Sequence, residues 1–277
     1  MNFKDVKKTK TAYYSDELRD DFNEVGLSRP PVPEGYKYKR TNPINNFFSA
    51  ILYHGIAKPF IGLFCVFHGI RFKGKRNLKM LEGKGAYIYS NHVSISDVFK
   101  FQAECFFFGR RVNILGYSDS LSMPVVRNLT RALGFLPLPL KGDLKNMIAL
   151  ADAFDYYVNE KKQYVLIFPE AHIWPYYTKI RPFRDGSFNY PAKSNAPVVP
   201  TVTVWRKPLI GKVARQTVYI LEPIFPLEGK TQQENKTYLY EQTLKAMQDF
   251  ANSVSQYEYI KYIKKEKSEE NNDQKES

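Results

Sequence analysis

The sequence predicts an α/β protein: a mainly parallel mixed sheet flanked by helices, with an amphiphilic two-helix motif ahead of it. Three observations carry that reading. From residue 86 onward, short runs rich in β-branched and aromatic residues alternate with stretches of helical period, the pattern of parallel strands joined by crossover helices. A hydrophobic fraction of 43% over 277 residues is enough to fill one sizeable core. The long apolar stretch that precedes the strands, residues 47–70, is separated from the start of the chain by a polar segment rich in proline and charge.

Taken in order, residues 1–43 read as a polar, extended lead-in, because "RPPVPEGYKYKR" disfavours helix at each residue before a proline. Residues 44–72 hold the amphiphilic motif. "FFSAILYHGIAKPFIGLFCVFHGI" has the length of a bilayer span, roughly 20 residues. His54, Lys58 and Pro59 interrupt it near the middle, which predicts two short helices lying on one leaflet rather than a crossing. A helix hairpin buried against the main domain is the alternative. A basic connector with a short strand at 70–73 leads into the α/β domain, residues 73–256. Its strands are expected at 86–89, 112–115, 135–138, 164–168, 198–204 and 217–220. Its helices are expected at 96–107, 123–133, 144–159, 187–194 and 232–253. The helix after Asp143 has the clearest basis, a capping aspartate followed by apolar residues at 147, 150, 151 and 154. Residues 257–277, ending in "KKEKSEENNDQKES", predict a charged and disordered tail.

Forty-one Lys and Arg against 28 Asp and Glu leave a net charge of +13, which calls for an anionic partner. No aromatic strand motif, glycine clamp or metal knuckle of a nucleic-acid module is present. The basic residues are instead interspersed with 20 Tyr, 20 Phe and 2 Trp, a mixture suited to an anionic membrane surface. Cys65 and Cys105 lie in apolar runs without C-x-x-C spacing, so a reducing cytoplasmic setting is expected. The first residues lack the apolar stretch of a secretory signal. "GKRNLK" and "EGKG" lack P-loop spacing.

Ligands in open α/β sheets sit at the carboxyl ends of the strands. Three loops at such ends hold the chemistry-bearing residues: "SNHVSISD", "LKGD" and "PEAHIWPYYTKIRPFRDG". His92 emerges from its strand five residues before Asp97. A carboxylate that accepts from one ring N–H fixes the tautomer and leaves the other nitrogen to take a proton from a hydroxyl. Taken alone, the spacing equally allows Asp97 to cap a helix while His92 packs locally. "WPYY" at 174–177 reads either as groove lining or as ordinary packing, and Cys105 as core. No metal site is expected, since His92, His172 and the nearby acids match no zinc spacing.

"NHVSISD", "GFLPLPLKGD", "IFPEAH" and "FRDGSFNYPAKSNAPVVPTVTV" occur in this order over residues 75–225, and the set resembles the glycerolipid acyltransferase family, the lysophosphatidic acid acyltransferases. The family's blocks look like NHxSxxD, GFIxxR, FPEGT(R) and a final VP[VI]. The resemblance implies that His92 is the general base, oriented by Asp97, and that a hydroxyl attacks an acyl thioester directly without an acyl-enzyme. It implies substrate-binding roles for Asn91 in the first block and for Phe168, Pro169 and Glu170 in the third. Where the family has Gly-Thr-Arg, this chain has Ala171-His172-Ile173. Where the second block has arginine, Leu140 stands and Lys141 follows. Lys141, His172, Lys179, Arg181 and Arg184 are therefore the candidates for a phosphate-bearing head group, although lysine lacks arginine's bidentate fork.

The implied function is transfer of a fatty acyl chain from acyl-CoA or acyl-carrier protein onto a lysophospholipid hydroxyl, foremost 1-acyl-glycerol-3-phosphate to give phosphatidic acid in phospholipid biosynthesis. No cofactor beyond the thioester donor is implied. The partners expected are the acceptor, the donor and an anionic membrane surface, not nucleic acid, with the protein peripheral or monotopic at the cytoplasmic face. The altered second and third blocks keep open another lipid alcohol, such as a glycolipid or aminoacyl-lipid. A non-catalytic basic membrane-binding protein on the same scaffold is the reading from another class.

Overall fold

A computed structural model describes residues 8–22, 30–104, 110–118, 124–208, 211 and 213–265. The strands are β1 (Thr11–Tyr14), β2 (Arg71–Lys73), β3 (Ala86–Ser90), β4 (Val112–Gly116), β5 (Phe135–Pro137), β6 (Tyr164–Ile167), β7 (Val198–Arg206), β8 (Arg215–Ile220) and β9 (Lys261–Lys264). The helices are α1 (Pro43–Phe67), α2 (Asp97–Glu104), α3 (Pro124–Ala132), α4 (Leu144–Asp155, extended by a π turn over Tyr156–Glu160), α5 (Asn189–Lys193) and α6 (Gln232–Ser253). Seven strands form one sheet in the order β2-β8-β7-β3-β6-β4-β5. Strands β3 to β7 run parallel to one another, while β8 is antiparallel to β7 and carries β2 on its outer edge. This is the mainly parallel α/β sheet expected, with every expected strand present.

Two apolar layers cover the sheet. Tyr87 and Tyr89 of β3 point to the face closed by α4 and α6, where Leu150, Phe154, Leu239 and Met247 are buried. Ala86 and Ile88 point to the other face, against Phe101 of α2 and Leu78 and Leu81. Burial on both faces explains why β3, β6 and β7 read as continuous apolar runs rather than alternating ones. Asp143 caps α4 by accepting from the Asn146 amide at 3.1 Å. Thr231 and Glu234 close a capping box at the start of α6, which fixes its first turn at the expected residue.

The apolar stretch departs from expectation: it is one helical segment, not two. A π-helical section over Ile51–Ala57 joins the two α-helical parts. Pro59 lies in the first turn after that section. There the hydrogen-bond register changes from π to α, and the missing proline N–H breaks no established ladder. The buried residues of α1 are Ser49, Tyr53, Lys58, Ile61 and Cys65. Their one five-residue step, from 53 to 58, falls on the π section and keeps the inward stripe aligned. Lys58 thus points into the protein, with its ammonium 5.8 Å from the Tyr53 ring centre. The outward face carries Phe47, Phe48, Ile51, Ile56, Phe60, Leu63, Val66 and Phe67, all exposed. By length and composition α1 could cross a membrane.

The termini also depart from expectation. Residues 11–14 of the lead-in pair in parallel with 261–264 of the expected tail, forming a separate two-stranded sheet. Ala12, Phe22, Tyr259 and Ile260 are buried in an aromatic cluster around Trp174. The extended segment at 30–42 is strapped on by its aromatics: Tyr38 donates to the Pro137 carbonyl at 3.1 Å, and Tyr157 donates to the Tyr38 carbonyl at 2.8 Å. Short strands about 250 residues apart give no local signal, so neither was expected. Cys105 and residues 266–277 lie outside the described residues.

Candidate active site

Strand β3, flanked by β7 and β6 in the sheet, delivers Asn91 and His92 from its carboxyl end. Asn91 continues the strand pairing with its side chain: Nδ2 donates to the Thr203 carbonyl at 3.1 Å, and its oxygen accepts from the Thr203 amide at 2.8 Å. Both polar groups are engaged and the residue is buried, so Asn91 shapes the loop. Shaping the loop and donating a hydrogen bond to substrate are the two roles the resemblance implies for it, and these bonds occupy its side chain with the first.

The next residue carries the ring. His92 Nδ1 lies 3.2 Å from Asp97 Oδ2. The same carboxylate oxygen accepts from the amides of Val93 and Ser94 at 2.7 and 2.8 Å, folding the loop around the acid. Lys100, one turn along α2, donates to Asp97 Oδ1. Lys100 also donates to Thr203 Oγ1 at 2.8 Å and Gln216 Oε1 at 3.1 Å. Asp97 and Lys100 are both fully buried. Burial by itself would raise the Asp97 carboxyl, but the Lys100 charge and the hydrogen bonds from His92 and Lys100 hold it below the usual carboxylate range. Burial pulls Lys100 downward against the opposing attraction of Asp97. An ionised Asp97 only accepts, so Nδ1 carries a proton, and in the neutral ring Nε2 is the nitrogen with the free lone pair. Phe168, from the end of the neighbouring β6, stacks on the imidazole at 4.4 Å between centroids and 19° between planes. The ring is fixed by an acid at one edge and an aromatic on one face.

Glu170 supports this loop from behind. Its Oε2 accepts from the His92 amide at 3.2 Å, and Arg181 donates to it at 3.1 Å. The Arg181 amide donates to Oε1 at 3.1 Å, and the guanidinium also donates to the His172 carbonyl and packs 4.8 Å from the Trp174 ring. Both side chains are fully buried. Glu170 and Arg181 therefore hold two loops together, which corrects their expected contact with a head group. The loop after β6 also pairs with the His92 loop through its backbone, Trp174 N–H to the His92 carbonyl and Tyr176 N–H to the Val93 carbonyl. Ala171, where the resembled blocks have glycine, adopts φ +61°.

His172 is half-buried, its Nδ1 3.3 Å from Asp21 Oδ2 of the lead-in. Lys141, Lys179 and Arg184 are exposed. Lys141 follows β5, three strand positions from β3, roughly 14 Å at ~4.8 Å per strand. Trp174 and Tyr177 are buried in the terminal cluster; Tyr176 lines a groove.

That groove, of about 560 Å³, opens beside the catalytic loop. Its polar lining is His68, Ser94, Ser96, Arg215 and Gln216, and its apolar lining includes Phe64, Phe67, Ile70, Phe99, Trp205 and Val213. Gln216 donates to Ser94 Oγ at 2.9 Å, joining the groove to the Lys100 network. Sequence reasoning missed Lys100, Thr203 and Gln216. Lys100 alone left a signal, a lysine among aromatics three residues after Asp97 and hence on the same helical face. Among the described residues, no three His, Cys, Asp or Glu side chains gather as a metal-binding group.

No curated protein matches the chain. Among solved structures, the crystal structure of the 1-acyl-sn-glycerophosphate (LPA) acyltransferase, PlsC, from Thermotoga maritima is similar at 16% identity and a TM-score of 0.45, over 74% of this chain and 97% of that one. Residues 69–204 match the family model described as Acyltransferase. That span contains His92, Asp97, Glu170 and the parallel strands β3 to β7 that position them. Over that span the chain is similar to the acyltransferase family.

Proposed function

We propose that the protein transfers a fatty acyl chain from an acyl thioester, acyl-CoA or acyl-carrier protein, onto the hydroxyl of a lysophospholipid, foremost 1-acyl-glycerol-3-phosphate. The observation that carries this reading is the His92–Asp97 pair, with Nδ1 engaged at 3.2 Å. In the reaction, Nε2 accepts the proton as the acceptor oxygen attacks the thioester carbonyl. The tetrahedral intermediate then collapses to the ester, expels the thiolate, and His92 returns the proton to sulfur. An aligned base contributes about 10²–10⁴-fold in rate. The apolar groove beside Ser94 suits an acyl chain.

A second acceptor remains supported by a specific observation. Arg181 is enclosed with Glu170 and Lys141 follows β5, three strand positions from β3, so neither cation expected to hold a phosphate monoester lines the groove beside Ser94. A glycolipid, aminoacyl-lipid or other lysophospholipid would use the same chemistry.

In this reading residues 44–72 are the membrane-associating part, 73–256 the transferase domain, and α1 lies on the cytoplasmic face. Its inward stripe is buried along the whole helix, which favours a helix lying on a leaflet over one crossing it. The test is purified protein in liposomes with a thioester donor and a panel of acceptors, following thiol release and lipid products together. His92→Ala should lower turnover by about 10²–10⁴-fold in a protein that unfolds like the parent. Unchanged turnover in that variant overturns the mechanism. Product from a non-phosphate acceptor alone selects the second reading.

A further inference from the structure

A second cavity, of about 360 Å³, lies at the opposite pole of the sheet. Arg111 immediately precedes β4, and Gln163 immediately precedes β6. Both therefore mark the amino ends of the strands, whereas His92 follows the carboxyl end of β3. The strands put roughly 17 Å between the two poles at ~3.3 Å per residue. Arg40, His54, Arg110, Arg111, Lys161 and Lys162 line this cavity, and among the described residues no carboxylate does.

Two of these cations are built into the protein. Arg111 is only 7% exposed. It donates to Ser49 Oγ at 2.9 Å and to the Ala132 carbonyl. Arg40 donates to the Arg131 carbonyl at 2.9 Å, the Ala132 carbonyl at 3.2 Å and Asn113 Oδ1 at 3.3 Å. These acceptors are neutral groups, three of the bonds going to the carbonyls that end α3. A helix C-terminus supplies only about half a negative charge, against two guanidinium charges. The Nε atoms of Arg40 and Arg111 are buried and have no hydrogen-bond partner. Burial together with the neighbouring Arg40 lowers the Arg111 pKa to about 9. Unbalanced buried charge is costly unless something completes it, and a tetrahedral oxyanion has the oxygens to do so.

We propose that this cavity binds the phosphate of a membrane-lipid head group, independently of the transferase site. The lipid source is indicated by α1. The helix contributes Asn46, Ala50 and His54 to the cavity. The same turns expose Phe47, Phe48 and Ile51. A phosphate seated among the cations leaves its acyl chains against those three side chains, so one helix presents a polar and an apolar subsite to one amphiphile.

The experiment compares the parent with Lys161→Gln/Lys162→Gln and with Arg40→Gln. A control, Lys261→Gln/Lys264→Gln, removes two exposed charges from β9. Inorganic phosphate is titrated in thermal unfolding, and flotation is measured on phosphatidylcholine vesicles with and without phosphatidylserine. Expected are a phosphate-dependent rise in the parent's unfolding temperature and a gain in flotation from phosphatidylserine. Both should fall several-fold in the cavity variants and not in the control. The Lys161/Lys162 variant, altered only at exposed residues, keeps the test decisive if Arg40→Gln fails to fold. A phosphate effect lost in the variants without any loss of flotation would overturn the lipid source in favour of a soluble phosphate. Equal losses in cavity and control variants, or none in either, would overturn the site.

Discussion

Lys100→Met removes the one charge that faces Asp97 from within the protein. In the parent, Asp97 Oδ2 accepts from His92, Val93 and Ser94, while Oδ1 receives Lys100. Both members of the ion pair are fully buried, so taking one away leaves a carboxylate enclosed without its counter-charge. Breaking such a pair typically costs about 3–5 kcal/mol. The Asp97 carboxyl, held down in the parent by Lys100 against the effect of burial, rises when that charge goes. A depressed carboxyl stabilises the fold above its unfolded value, about 3.9, and loses that contribution as pH falls through the folded value. In Lys100→Met that contribution is lost, and with burial lifting the folded value above the unfolded one the penalty is relieved as pH falls through it. Catalysis should follow, because only the ionised acid holds His92 with Nδ1 protonated. Two assays read this: urea unfolding at neutral pH, and kcat/KM for thiol release against pH. The expected result is a drop of about 3–5 kcal/mol with the acidic limb of the rate profile displaced upward. The double variant Asp97→Asn/Lys100→Met should recover much of the stability and none of the activity, since no charge is then left unpaired. A stable Lys100→Met protein whose rate profile coincides with the parent's would refute the reasoning.

Arg181→Met leaves Glu170 buried without its partner and should cost about 3–5 kcal/mol, read in urea unfolding; Glu170→Gln/Arg181→Met should restore most of it. Ala171→Gly should raise stability by about 0.5 kcal/mol, because the left-handed φ of +61° costs alanine ~1–2 kcal/mol and glycine's extra unfolded-state freedom costs ~0.5–1; a lower melting temperature would contradict it. Phe60→Glu/Val66→Glu alters two exposed residues of α1 and should abolish sedimentation with vesicles while leaving the unfolding midpoint within experimental scatter; full sedimentation would remove α1 as the membrane contact.

Much of the fold was legible because the signals were local. Strands β3, β6 and β7 announce themselves as apolar runs, since a parallel sheet covered on both faces excludes water from every side chain. Helix α6 begins where Thr231 and Glu234 cap it, and His92 and Asp97 lie five residues apart across one strand-to-helix junction. The rest depended on contacts between distant segments. Nothing near Thr11–Tyr14 specifies Lys261–Lys264 as its partner, and a charged terminus reads as a tail until its tyrosines find Trp174. The continuity of α1 through Pro59 rests on a π section whose alignment only the domain beneath it requires. Arg181 sits in a run that looks basic and exposed; burial against Glu170 turns it from a ligand for substrate into a brace for the loop. Sequence alone determined that His92 and Asp97 fall together at the carboxyl end of a strand, because spacing and hydrophobic period are properties of the chain. Tertiary structure decided which charges are enclosed and with whom, because burial and pairing belong to residues that meet only after folding.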